Sequence, residues 1–455
     1  KERWPGEYPT KMFDCFKEVQ CDINEIHKGK KSGMYHFYYG GDQAAVVGTS
    51  LINANVALEA DKRVWDMPVW PEEINKDKEG IALGYKRARE MLQPEPYPEN
   101  FPELPKLNTL EEQAKKLGPE YANNFYRPPI TVTFENRVNS AGVRQLKSKL
   151  TGNDCTGVND GSKNSTLMNY VPDAWNHGCE IFCQINVHRI KKDKESKKWV
   201  IFYEWLDEER EIYNDEHHNS LYFVTADVVF LAAGTIGSNE ILLRSRNFGL
   251  EVSPEVGQRF SGNGDVRIAM GDQNSLSFPN GPVGPCITGI IDMRQSGDSV
   301  HDGYVIEEGV CPAALATILK TLLKTTDVRD KDKPTNITFG ESFSKFLREI
   351  SSLSNYQGAM ANTQTYLIMS HDDNTGRIQL VNNKVKIEYE GVGETEMVKK
   401  LNERLSRATT NVNGDYVASP IWKRALGCKL VTVHPLGGCC MGKDGKSGVV
   451  NHKGQ

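Results

Sequence analysis

Val228-Val-Phe-Leu-Ala-Ala-Gly-Thr-Ile-Gly-Ser-Asn-Glu-Ile-Leu-Leu243 is the stretch that most limits what this chain can fold into. Val228 to Ala232 carries no charge and reads as a strand buried on both faces, the pattern of a parallel sheet. Gly234 and Gly237 then allow a tight turn. Ser238 is a reasonable N-cap, and Glu240 suits the first turn of a helix running to Ser245. Strand, glycine turn and helix in that order make one unit of an α/β fold.

The rest of the chain sets the scale around that unit. Its 455 residues have room for two or three structural units with sizeable cores. A net charge of −5 gives no whole-chain reason to bind nucleic acid. Basic clusters such as Lys191-Lys-Asp-Lys194 are short, diluted by acids, and read as solvated turns. No apolar run approaches the ~20 residues of a membrane-spanning helix, and no signal peptide is visible. Ten cysteines in a chain this long do not make a disulfide scaffold. Cys179 and Cys183 fall in a strand-like run without a second pair, so no metal site is expected there. His217 and His218, beside Asp215 and Glu216, read as a solvated turn. Asn164-Ser-Thr and Asn336-Ile-Thr match the glycosylation pattern, a match common by chance. The compartment stays open.

Hydrophobic spacing places the remaining elements. Lys76 to Leu92 is helix-compatible, with Ile81, Tyr85, Ala88 and Leu92 on one face. Pro94, Pro96, Pro98, Pro102 and Pro105 then predict an extended excursion. A short helix is expected over Leu110 to Leu117 and a strand over Ile130 to Phe134. A helix over Met168 to His177 runs into a strand from Ile181 to Val187. Trp199 to Tyr203 and Leu221 to Val224 suggest a β-meander. Strands and loops fill 266–390, with helices near 313–324 and 342–354. The second of these carries an apolar stripe of Phe343, Phe346, Leu347, Ile350 and Leu353, which packs on the core or, less simply, forms a lid or touches a membrane. Glu394 to Thr409 is a last helix. His371-Asp-Asp373 reads as a polar turn at a strand end.

Val431-Thr-Val-His-Pro-Leu-Gly-Gly-Cys-Cys-Met-Gly442 carries the sharpest chemical signal. Pro435 biases His434 to an extended conformation, and Gly437 and Gly438 let the backbone turn sharply or approach a ligand. An imidazole presented this way can take or give a proton near neutral pH. It can equally be a histidine packed beside a tight turn.

That run, the 228–243 stretch and Gly48-Thr-Ser-Leu-Ile-Asn-Ala-Asn-Val-Ala57, in this order, resemble the glucose-methanol-choline (GMC) flavin oxidoreductases, closest to their cholesterol-oxidase-like branch. Cys155-Thr-Gly-Val-Asn-Asp-Gly-Ser-Lys-Asn164, Glu255-Val-Gly-Gln-Arg-Phe-Ser-Gly-Asn-Gly-Asp265 and Ser370-His-Asp-Asp-Asn-Thr-Gly-Arg377 fit the same order. The resemblance implies an α/β fold, α+β overall. An FAD-binding, Rossmann-like parallel sheet with a β-meander would stand beside a substrate domain whose mainly antiparallel sheet is covered by helices. It divides the chain into an FAD-domain segment (1–75), a helical, proline-rich excursion opening the substrate domain (76–150), more FAD domain (151–265), the substrate domain (266–425) and a last FAD-domain segment with the histidine (426–455). The family's G-x-G-x-x-G fingerprint and its second active-site residue are not found, so the chain reads as the interior of a longer protein.

By the same resemblance FAD is the cofactor. Gly48, Thr49, Ser50 and Asn53 would lie beside the isoalloxazine ring and pyrophosphate. Val187 would meet the adenine end, and Ala233, Gly234 and Gly237 would turn under the nucleotide. Asn55 and Val56 would border a hydrophobic alcohol substrate, with His434 handling its hydroxyl proton during hydride transfer. Contact with a membrane surface is compatible with such a substrate, and protein partners are not readable. Ala316 aligns where cholesterol oxidases carry an isomerising glutamate, which argues against isomerase activity; nothing assigns that role to neighbouring Glu307 or Glu308. Ala45 and Val47 stand where the family has glycines. That departure supports a second reading, a redox-inactive GMC fold with a structural or assembly role.

Overall fold

The computed structural model describes residues 34–36, 48–154, 158, 160–183, 185–205, 221–273, 283–310, 363–416, 418–419, 422, 428 and 430–455. Ala45, Val47, His217, His218, Ala316, Asn336 and the 313–324 and 342–354 helices lie outside them.

A six-stranded antiparallel sheet organises the molecule. Its strands run in the order Gly414–Asp415 (β14), Val266–Gln273 (β8), Thr363–Ser370 (β11), Tyr304–Gly309 (β10), Ile290–Asp292 (β9) and Phe125–Tyr126 (β2). Strand alternation gives it two distinct faces. Tyr304 and Ile306 of β10 and Tyr366 and Ile368 of β11 point into the main core, where Leu110 and Ala114 of helix Pro105–Leu117 and Leu401 and Leu405 of helix Glu396–Asn411 cover them. The second helix is capped by Thr395, whose side chain accepts from Val398 N, and buries Val398, Leu401, Leu405 and Ala408 at helical spacing. Val305 lies on the opposite face with Cys286, Ile287 and Ile290, and there the chain segment holding Ala54, Val56 and Leu58 packs over it with Met369.

Glu308 and Glu307 are neighbours on β10 and so fall on opposite faces. Glu308 is paired with Lys106, both side chains almost wholly buried, and its Oε1 accepts from Thr288 N at 2.7 Å and Gly289 N at 2.9 Å. Such a buried pair holds only because every remaining acceptor is also satisfied.

The expected meander is present: Ile185–Lys192 (β5), Trp199–Trp205 (β6) and Tyr222–Ala226 (β7) pair antiparallel in that order. Its β-branched and aromatic residues suit a pleated surface. Smaller antiparallel pairs join Arg137–Val138 (β3) to Arg144–Gln145 (β4) and Arg377–Val381 (β12) to Lys384–Glu388 (β13).

Several expectations need correcting. Val228 to Ala232 is not a buried parallel strand: no described strand pairs with it, and Val228 and Phe230 are strongly exposed. A strand exists only where a neighbour takes its N–H and C=O groups. Among the described strands the only parallel pair is Met34–His36 (β1) with Leu430–Thr432 (β15). The helix after Gly234 runs over Gly234–Asn247 with Ala233 as N-cap, so Ser238 lies inside it. Gly234, at φ +69°, adopts a left-handed conformation that lets the helix start early. Pro105 does not interrupt structure but starts the helix Pro105–Leu117, where its missing N–H costs nothing. Ile130 to Phe134 makes isolated bridges, Ile130 to Val56 and Glu95 and Val132 to Lys163, rather than a strand. Met168 to His177 splits into a 3-10 turn, Thr166–Met168, and a helix, Tyr170–Asn176. Asn164 is fully buried, its amide donating to Leu92 O at 2.6 Å, so its glycosylation pattern is closed to modification in the folded chain.

Candidate active site

His434 follows β15 and points at a buried carboxylate. Its Nδ1 lies 3.0 Å from both Oδ1 and Oδ2 of Asp265. Asp265 is completely buried, while the imidazole is 37% exposed. A carboxylate only accepts, so Nδ1 carries the proton and Nε2 is left as the basic nitrogen. Val433 N donates to Asp265 Oδ2 at 2.9 Å, and Thr432 Oγ1 lies 3.0 Å from the same oxygen. His434 N in turn donates to Thr432 Oγ1 at 2.9 Å. The imidazole is thus gripped at its backbone and at one edge, with the other edge turned outward.

The glycines after it make the turn that presents it. Gly437 has φ +89°, and a Cβ there would land 1.9 Å from Arg259 O. That close approach lets 436–438 zip onto 257–261: Leu436 N donates to Ser261 O at 2.9 Å and Gly438 N to Gln258 O at 3.0 Å. The helix Gly234–Asn247 reaches the same turn, Thr235 Oγ1 donating to Pro435 O at 2.7 Å and Asn239 Nδ2 to Gly437 O at 3.3 Å. Gly234 and Gly237, expected at the nucleotide, therefore stand beside the histidine turn. Nearby Cys439 is held as a thiol, burial pushing it up to about 11.

A second group of residues meets on the covered face of the large sheet. Lys163, buried, donates to Leu51 O at 2.8 Å, Asn53 O at 2.7 Å and Asp154 O at 2.7 Å. It fixes the loop that begins with the 3-10 turn Gly48–Leu51. Ser50 Oγ accepts from Thr166 N at 3.0 Å, and Asn53, exposed, folds its Oδ1 back to Asn55 N at 3.2 Å. Asn55 is fully buried at φ +72°, its carbonyl accepting from Thr131 N at 2.9 Å, and Val56 is half-buried. Burial raises the Asp154 carboxyl against the pull of Lys163, and its Oδ2 accepts from Cys286 N at 3.0 Å. Val187, half-buried on β5, pairs with Tyr203.

Glu307 joins the two groups. It lies on the sheet face that Ala54, Val56 and Leu58 cover, it is 1% exposed, and its Oε1 has no hydrogen-bond partner among the described residues. Burial first, then the charges of Cys286 and Asp265, lift its carboxyl well above the usual range.

The helix start at Ala233 and Gly234 leaves room for an anionic group. The N-cap of helix Gly234–Asn247 is Ala233, which gives no side-chain hydrogen bond, and its first turn holds no acid. Its first N–H groups are therefore left without a side-chain cap. No metal-binding group of three His, Cys, Asp or Glu side chains occurs among the described residues, and no helix there is long and apolar enough to cross a membrane.

Sequence reading found His434 but gave no role to Asp265, Lys163 or Glu307. Asp265 closes a glycine-rich segment that was legible; its contact with His434, 169 residues away, was not.

No curated protein matches the chain. Among solved structures, an FAD-dependent oxidoreductase from Chaetomium thermophilum, in complex with a small-molecule fragment, is similar at 12% identity and a TM-score of 0.44, over 78% of this chain and 65% of that one. Residues 43–262, which hold the 48–58 loop, Lys163, β5 and the Gly234–Asn247 helix and end just short of Asp265, match the model of the GMC oxidoreductase family, a match that supports FAD as cofactor.

Proposed function

We propose that the chain is a GMC-type, FAD-dependent oxidoreductase that oxidises a hydrophobic secondary alcohol, sterol-like in its apolar bulk. The observation that carries this reading is the His434–Asp265 pair: a histidine whose Nδ1–H is held by a buried carboxylate, leaving Nε2 to accept a hydroxyl proton. FAD, when bound, supplies the hydride acceptor. The loop carrying Gly48, Thr49, Ser50 and Asn53 is the proposed seat of its ring, with Val187 at the adenine end and Ala233, Gly234 and Gly237 beneath its phosphates. Asn55 and Val56 lie at the substrate edge. Lys163 keeps that loop in one shape. Val305 and Met369, packed with Ala54 and Leu58, make the sheet side apolar, which favours a hydrocarbon-rich alcohol over a sugar.

His434→Ala tests the reading. A positioned base contributes ~10²–10⁴-fold in rate. The variant should fold, keep its flavin and lose single-turnover flavin reduction by that factor. Hydrophobic secondary alcohols should reduce the flavin faster than glucose does in the parent protein. Unchanged reduction in a folded His434→Ala variant removes the histidine from the chemistry. A native protein without flavin absorbance favours the redox-inactive reading.

A further inference from the structure

Asp265 reaches His434 from the end of a tight turn closed by its own bonds, Asp265 N donating to Gly262 O at 3.1 Å and Asn263 N to Ser261 Oγ at 3.0 Å. Asn263 and Gly264 are both left-handed, at φ +61° and +55°. Two consecutive residues in that region need outside support, the more so because Asn263 carries a side chain. The support comes from the far end of β11. Asp372 Oδ2 accepts from Gly262 N at 2.8 Å and from Gly264 N at 3.2 Å. Its Oδ1 accepts from Asn374 N at 3.1 Å, which fixes the carboxylate's own orientation. Ser370 adds two bonds, its Oγ donating to Gly264 O at 2.9 Å and its N to Asn263 O at 3.2 Å. The fit is close enough that a Cβ on Gly264 would fall 2.4 Å from Ser370 Oγ.

Two backbone N–H groups converging on one carboxylate oxygen form charge-assisted bonds, stronger than neutral ones. The residue directly after Gly264 is the one whose carboxylate holds His434. We infer that Asp372 is a positioning residue for the His434–Asp265 pair: it sets the turn 262–264 so that Asp265 faces Nδ1, and thereby keeps the imidazole in its Nδ1–H form. The histidine is then registered to the large sheet through β11 as well as to its own strand, β15. The catalytic meaning of this arrangement rests on the function proposed above; the positioning itself does not.

The test is therefore made without added cofactor. Imidazole ¹⁵N spectra report which ring nitrogen carries the proton, and His434→Gln identifies the signal by its loss. The parent protein should show a single Nδ1–H form. Asp372→Ala should show a mixture of the two neutral forms. Asp372→Glu keeps the charge but moves it by a methylene, and should show the mixture too, which keeps the test decisive if the alanine variant does not fold. Asp372→Asn retains an acceptor for the two N–H groups and should restore the single form. Asp373→Ala is the control: that carboxylate is bonded to Tyr389 Oη at 2.7 Å and Thr375 N at 3.2 Å, away from the turn, and its loss should leave His434 as it was. A parent-like spectrum in folded Asp372→Ala or Asp372→Glu overturns the inference. In flavin-loaded protein the alanine variant should slow flavin reduction by up to about 10²-fold with little change in KM, since misplaced catalytic groups cost rate at that scale. Absence of flavin chemistry in the parent would sink the proposed function and leave the spectra to judge Asp372 on their own.

Discussion

Asp265 shows how much one buried carboxylate decides. Both Val433 N and Thr432 Oγ1 lie against its Oδ2, and His434 Nδ1 lies 3.0 Å from Oδ1 and Oδ2 alike. In Asp265→Asn the amide oxygen stays at the Oδ2 position to satisfy Val433 N, and the NH₂ group takes the Oδ1 position, 3.0 Å from His434 Nδ1. The charge that holds Nδ1–H is lost and a donor competes for that nitrogen, which favours the proton on Nε2, the nitrogen proposed as base. The variant should keep its fold by circular dichroism and lose roughly 10²–10⁴-fold in flavin reduction, the scale seen when a supporting aspartate forces the wrong tautomer. Parent-like flavin reduction in the folded variant would mean that the tautomer does not matter. His434 was legible because proline and glycines surround it in sequence. Asp265 was not, because a carboxylate after a glycine turn is an ordinary solvated group until the fold buries it.

At the scale of elements, the histidine turn depends on glycine at one position above others. Gly437→Ala places a methyl group against Arg259 O and demands φ +89° of an alanine, so it should cost at least ~1–3 kcal/mol in a denaturant titration. Gly445 has open space where a Cβ would go and no left-handed φ, so Gly445→Ala should be close to neutral. Equal effects of the two would show that the close packing of 436–438 on 257–261 is not what holds the turn. Elements whose signals are local were readable: the helix expected over Lys76 to Leu92 is Lys78–Leu92, the one expected over Glu394 to Thr409 is Glu396–Asn411, and the meander is present. The strand over Val228 to Ala232 was not, because apolar composition gives a segment the capacity to pair but no partner.

Over the whole molecule, the pairing of Glu307 and Glu308 on opposite sheet faces gives a pH dependence with a definite sign. Burial raises the Glu307 carboxyl, so the native state keeps this proton at pH values where the unfolded chain has released it. Below the ordinary glutamate range both states are protonated and the group is neutral in effect; above it, stability falls as pH rises towards the native value. Glu307→Gln removes that loss. Its melting temperature should exceed the parent's by a margin that grows as the pH rises above the ordinary glutamate range. A constant margin, or one that shrinks, would show that Glu307 is ionised in the folded protein. The sequence by itself determined the local elements, the colinear order of the glycine-bearing segments and the histidine presented by its proline and glycines, since each depends on residues close together in the chain. Only the tertiary structure decided which carboxylate holds that histidine, which lysine ties down the 48–58 loop and which of two adjacent glutamates pairs with Lys106. Those outcomes depend on burial and on contacts between distant segments, and neither quantity exists until the chain has folded.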